Sequence, residues 1–164
     1  MNYALCIKKN LSPFVFCHLT FSYLCLKSRF TMKLIPTGSS REEVYIRRAI
    51  IVEELSPLIG TSVPCGAFGG KCVEILYNSV DETATRASQR YESTLAAMRL
   101  VEALRKSSLI GDDIPKNKQK KKMYFTKIYE LRATLTNLGE VKIIVGERNN
   151  KRMIHYCITK KIKE

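Results

Sequence analysis

His155 and the cations that follow and precede it are the side chains of this chain best suited to chemistry. RNA cleavage by transesterification needs a base for the ribose hydroxyl, an acid for the leaving oxygen, and cations to hold the phosphorane's charge. An imidazole titrates near neutrality, so His155 has the range for either proton-transfer role. Arg132 and Arg148 are the residues that would hold phosphate in such a site, with Lys142 beside them. Tyr129 or Tyr124 offers a ring on which a base could stack. No second histidine lies near His155 in sequence, and Glu130 is only a nominal acidic partner. A single histidine on an outer strand face is also, simply, a solvated residue.

The second feature is a run of lysines. Lys116, Lys118, Lys120, Lys121 and Lys122 crowd the stretch from Pro115 onward. From Asp112 to Glu164 there are fourteen Lys and Arg against six acids, a surplus of eight out of the chain's +13. Cations so concentrated suit a polyanion, because neutralising phosphates releases condensed counterions. Lys116, Lys118, Lys120, Lys121, Lys122 and Lys142 are therefore the expected nucleic-acid contacts. A solvated loop is the plainer reading of the same run.

Three strand-like segments must position these groups: Met123–Leu135, Val141–Glu147 and Arg152–Lys161. Neighbouring side chains of a strand point to opposite faces. Met123, Phe125, Tyr129, Leu131, Ala133 and Leu135 form one row, which Val141, Ile143 and Val145 extend. In the last segment Ile154, Tyr156 and Ile158 continue it, which leaves Arg132, Lys142, His155 and Thr159 together on the opposite face. Thr136-Asn137-Leu138-Gly139 and Arg148-Asn149-Asn150-Lys151 are turn sequences, favouring an antiparallel meander.

The preceding half reads as helices and a hairpin. Ser40-x-x-Glu43 is a capping box before Val44–Leu55, whose Ile46, Ala49, Ile50 and Leu55 suit one face. Thr61–Cys65 and Lys71–Leu76 flank a glycine-rich turn and predict a hairpin. Ser79-x-x-Glu82 predicts a second cap, opening a helix over Asp81–Arg90. A longer helix is expected over Ser93–Lys106, with Leu95, Met98, Val101 and Leu104 buried. The fold class is α+β: N-terminal helices and a short hairpin packed on a C-terminal three- to four-stranded antiparallel sheet, all within residues 32–164.

Composition narrows the rest. At 164 residues, 45% hydrophobic and 26% charged, the chain can bury one real core. Cys65, Cys72 and Cys157 have no CxxC spacing and no neighbouring histidine pair, so no metal site is expected and reduced thiols are. No cofactor is expected, since the glycine-rich stretch fits neither a P-loop nor a dinucleotide fingerprint. Residues 1–31 differ from the remainder. Leu11–Leu26 is apolar and aromatic-rich, but lacks a small-residue cleavage site and is short for a membrane span. The expectation is a leader of upstream translation or an apolar arm before a cytoplasmic domain that begins at Met32. A membrane anchor is the competing reading.

Four segments carry a resemblance: ELSPLIGTSVPCGAFGGKCVEI, DETATRASQRYESTLAAMRLVEAL, PKNKQKKKMYFTKIYELRATL and VKIIVGERNNKRMIHYCITK. In this order they resemble the large polyvalent protein-associated domains of bacterial phages and integrative elements, over about Arg41 to Lys161. The order of helices then antiparallel sheet is also similar, at fold level, to the barnase–EndoU–colicin–RelE group of small ribonucleases. The first resemblance implies a nucleic-acid-binding accessory domain of a mobile element or prophage. The second implies a metal-independent ribonuclease-like toxin, with an antitoxin or immunity partner. Leu76-Tyr77-Asn78-Ser79-Val80 departs from the basic, Thr- and Gly-containing turn expected of such nucleases.

Overall fold

Ser40 opens the first helix by a reciprocal cap, as its spacing to Glu43 predicts. Its hydroxyl accepts from the Glu43 N–H (3.2 Å), and the Glu43 carboxylate accepts from the Ser40 N–H (3.1 Å). The helix so started is α1, Arg41–Leu55. The structure, a computed structural model, describes residues 34–113 and 125–160. The leader, Lys116 to Lys122, Met123, Tyr124 and Lys161 lie outside the described residues. No described helix is long and apolar enough to cross a membrane.

α1 buries Arg47, Ile50, Ile51 and Leu55. Ile46 and Ala49, read from sequence as part of the core face, are exposed instead, because the buried stripe is centred on Arg47 and Ile51. Arg47 is fully buried and has carbonyl partners. Its guanidinium donates to Ser88 O (2.7 Å), Pro36 O (2.9 Å) and Gly38 O (2.6 Å), tying the entry segment and a helix corner to α1. A 3-10 turn at Ser56–Leu58 leads to β1 (Ser62–Pro64) and β2 (Cys72–Glu74), the expected hairpin, with Val63 opposite Val73. Gly69 and Gly70 have φ of 62° and 87° in the connecting turn, where a side chain would be strained.

α2 (Tyr77–Ala87) begins earlier than the Ser79 signal predicts. Ser79 is its third residue, and the hydroxyl accepts from the Leu76 N–H (3.3 Å) from inside the first turn. The single helix expected over Ser93–Lys106 is two, α3 (Tyr91–Met98) and α4 (Leu100–Arg105), broken at Arg99. Arg99 pairs with Glu102 and donates to Thr136 O (2.6 Å), holding the break against the sheet's far turn. The break changes the helical phase. Ala96, Ala97, Leu100, Ala103 and Leu104 are buried, while Leu95, Met98 and Val101 are only partly so.

The sheet is larger than its sequence suggests. β3 (Ser108–Asp113), β4 (Lys127–Leu135), β5 (Gly139–Glu147) and β6 (Met153–Lys160) follow α4. Among the described residues the order is β1-β2-β6-β5-β4-β3, six strands in one sheet. β2 and β6 run parallel, with Val73 opposite Met153, so the hairpin extends the sheet rather than packing on it. This corrects the expected three- to four-stranded antiparallel sheet to a mixed one within the same α+β class. Strands as short as β2 show no alternation that could reveal a partner. The helices cover one face, where Ile51, Leu55, Ala84, Leu100 and Leu104 share a core with the row Leu131, Ala133, Val141, Ile143, Val145 and Ile158.

Candidate nucleic-acid interface

β6 carries one residue more than its partner strand. His155 lies opposite Val145 and Cys157 opposite Ile144, so Tyr156 is the extra residue of a β-bulge. A bulge reverses side-chain parity on one side of itself. Cys157 and Thr159 keep the expected outer face, opposite Ile144 and Lys142. Ile154 and His155 exchange faces: Ile154 sits opposite Gly146, and His155 joins Val145 on the core side. The expected placement of His155 beside Arg132 and Lys142 is thereby overturned.

His155 is fully buried, and neither ring nitrogen has a hydrogen-bond partner in good geometry. Burial pushes its pKa down to about 3, and a weak approach to the Cys157 backbone only slightly opposes this. A general acid or base must reach a proton on bound substrate. This imidazole is neutral and has no contact with solvent. Cys157 is also inert: burial raises its thiol to about 11. Among the described residues no three His, Cys, Asp or Glu side chains gather as a metal-binding group.

The extra residue has its own partners. Tyr156 donates from its hydroxyl to Glu82 Oε1 (2.8 Å), and the Arg86 guanidinium lies 5.4 Å from its ring centroid. Arg86 in turn pairs with Glu82 (2.6 Å). The bulge is thus tied to α2, which packs on β6. Phe125 meets Tyr156 edge-on and lies over Gly146, where a Cβ would clash with the ring at 2.3 Å.

On the outer face Arg132 and Lys142 stand directly opposite each other. Each is matched by a diagonal carboxylate: Arg132 pairs with Glu140 (2.9 Å), and Lys142 with Glu130. This ladder of two cations and two anions is self-neutralising. The basic sheet face expected from alternation is therefore an electrically balanced one. Counting Lys and Arg by strand face missed it because the carboxylates share that face.

The cations converge instead at one end of the sheet. β4 begins there with Lys127, and β5 ends opposite it at Glu147. Arg148, Lys151 and Arg152 occupy the turn into β6, closed by Lys151 N–H to Arg148 O (2.9 Å). Because β2 runs parallel to β6, Lys71 enters β2 at the same end. β3 ends here at Asp113, while Lys116, Lys118, Lys120, Lys121 and Lys122 lie outside the described residues. Three of the cations have partners: Lys127 with Asp112, Lys151 with Glu147 (2.9 Å), Arg152 with Glu74. Lys71 and Arg148 have no ion pair among the described residues. Parallel pairing of β2 brings Lys71 here, a long-range consequence that no local pattern signals.

Tyr129 is locked at this end and is no free stacking platform. Its hydroxyl donates to Glu147 Oε2 (2.5 Å), Phe68 meets its ring edge-on, and the Lys127 ammonium lies 5.2 Å from its centroid. The Glu147 hydrogen bond pushes the phenol up to about 12, and the Tyr129 and Lys151 bonds hold the Glu147 carboxyl below its usual range. A phenol this weak and a carboxylate this stable form an orienting contact, unsuited to proton transfer near neutrality. Comparison of the chain with protein-family models, curated proteins and solved structures finds no match.

Proposed function

We propose that this chain is a nucleic-acid-binding accessory domain of a bacterial mobile element or prophage, gripping phosphate at the basic end of its sheet. The observation that carries this reading is that Lys71 and Arg148, which have no ion pair among the described residues, stand at one end of the sheet, where Lys127, Lys151 and Arg152 are matched by Asp112, Glu147 and Glu74. A surplus of +13 over the whole chain supplies long-range attraction. The sequence resemblance to polyvalent protein-associated domains supplies the mobile-element context. Lys142 leaves the set of phosphate contacts, because Glu130 already compensates it. Contacts of this kind bind without reading sequence.

Fluorescence anisotropy with labelled RNA and DNA oligonucleotides, in EDTA, tests the reading. Both are expected to bind at low salt and to remain intact. Replacing Lys71 and Arg148 with Gln weakens binding, while Arg132→Gln leaves it unchanged. Absence of binding at low salt, or loss confined to Arg132→Gln, contradicts the assignment.

A further inference from the structure

Phe125 stands two residues before β4, at the basic end of the sheet. Thr126 fixes the chain there: its N–H (2.7 Å) and its hydroxyl (3.0 Å) both donate to Glu147 O. Gly146 lies beneath the Phe125 ring. A Cβ on Gly146 would stand 2.3, 2.3 and 2.4 Å from the ring carbons Cδ1, Cγ and Cε1. A point almost equidistant from three ring carbons lies near the axis through the ring's centre, so the ring rests flat on the glycine. Gly146 follows the core residue Val145, so this is the sheet face away from the core. One face of the Phe125 ring therefore meets backbone, and the other points away from the sheet.

Its surroundings are aromatic and electrically balanced. Tyr156, aimed by the bulge, stands at 87° to the Phe125 ring with centroids 6.0 Å apart, a wall beside a floor. The Arg86 guanidinium lies 5.4 Å from the Tyr156 centroid and is matched by Glu82 (2.6 Å). Phe125 remains partly exposed, and its one ring contact among the described residues is Tyr156. Tyr129 differs, since Phe68 meets its ring and Glu147 holds its hydroxyl. Arg148 lies two residues beyond Gly146, about 7 Å along an extended strand. A cation with no ion pair among the described residues thus stands close to the ring. A ring already seated on backbone also loses little conformational freedom when it binds.

We propose that Phe125 is a nucleobase-stacking platform, which makes single-stranded nucleic acid the substrate class of the basic end. A base lies on the outward face of the Phe125 ring, while Arg148 holds an adjoining phosphate. Proteins that take single strands combine aromatic platforms with cations along the backbone. A duplex keeps its bases stacked on one another and has none to lay on this ring. Every base has a π face, so the contact tolerates any sequence. Stacking here rests on the phosphate grip proposed above, because one ring holds a strand only alongside cations that hold its backbone.

Fluorescence anisotropy of the full chain at low salt tests this, with a labelled thymidine oligonucleotide, an abasic strand of the same length and a duplex. The thymidine and abasic strands carry the same phosphate charge, so their difference isolates the base. The thymidine strand should bind more tightly than the abasic one. Phe125→Ala should lower thymidine-strand affinity roughly 5- to 100-fold and abolish that difference, leaving the abasic strand and the duplex unchanged. The chain contains no Trp, so Phe125→Trp places a single indole on the platform and covers the case in which the Ala variant loses its fold. Its emission should be quenched by the thymidine strand and not by the abasic one. Equal affinities for these two strands, or an indole that the thymidine strand leaves unquenched, overturn the proposal. So does a Phe125→Ala chain that binds the thymidine strand as before but sediments differently, which would assign the ring to a protein contact. Absence of binding to all three would contradict the phosphate grip itself, and the platform with it.

Discussion

His155 sits neutral in the core because an imidazolium there would have neither water nor a counter-charge. Its folded pKa, about 3, lies below the unfolded value. As pH falls below about 6.5, the unfolded chain takes up a proton that the folded chain refuses. Stability should therefore drop with a slope approaching 1.4 kcal/mol per pH unit, starting above the range where carboxylates titrate. Thermal midpoints between pH 7 and 5 measure this. In His155→Leu the slope over that interval should largely vanish, and an unaltered slope would mean that the imidazole is hydrated. Arg47 differs: its Nε and Nη1 donate to three carbonyls, while its buried Nη2 has no hydrogen-bond partner among the described residues. Arg47→Ala strands Pro36 O, Gly38 O and Ser88 O, each costing about 1–3 kcal/mol if left unpaired. Urea unfolding should show a loss of at least about 3 kcal/mol. A loss below about 1 kcal/mol would show that water replaces the guanidinium.

At the scale of elements, local signals fared well and parity fared badly. The Ser40–Glu43 cap, the hairpin and β4, β5 and β6 are legible because turn residues and alternation are local. Three things are not. Ser-Leu-Ile-Gly does not alternate, so β3 is invisible. The Arg99 break has no Gly or Pro to announce it. One inserted residue, Tyr156, leaves strand β6 recognisable and reverses the faces of Ile154 and His155. The candidate site depended on that parity, so its members scatter: His155 to the core, Arg132 and Lys142 to the balanced ladder, Arg148 to the sheet's end. Gly66 tests the packing between the hairpin and the last helix. A Cβ there would lie 2.6 Å from Arg105 O and 2.8 Å from Ser107 O, both backbone atoms that cannot rotate away. Gly66→Ala should cost about 1–3 kcal/mol, the usual range for overpacking. Calorimetry reads it directly, and an unchanged midpoint would show that this junction yields freely.

Over the whole molecule, charge is distributed by topology. The sheet face away from the helices is neutralised from within by Glu130 and Glu140, whereas Lys71 and Arg148, at the end of the sheet, have no ion pair among the described residues. Such an arrangement predicts that binding is electrostatic, sequence-tolerant and strongly dependent on salt. The decisive measurement is the slope of log K against log salt, for the natural chain and for one in which Lys116, Lys118, Lys120, Lys121 and Lys122 are all Gln. Each lost phosphate contact should flatten the slope by roughly 0.7–0.9. A variant with weaker binding and a clearly shallower slope is the predicted result. An identical slope in both chains would mean that these lysines contact no phosphate, and would contradict the account.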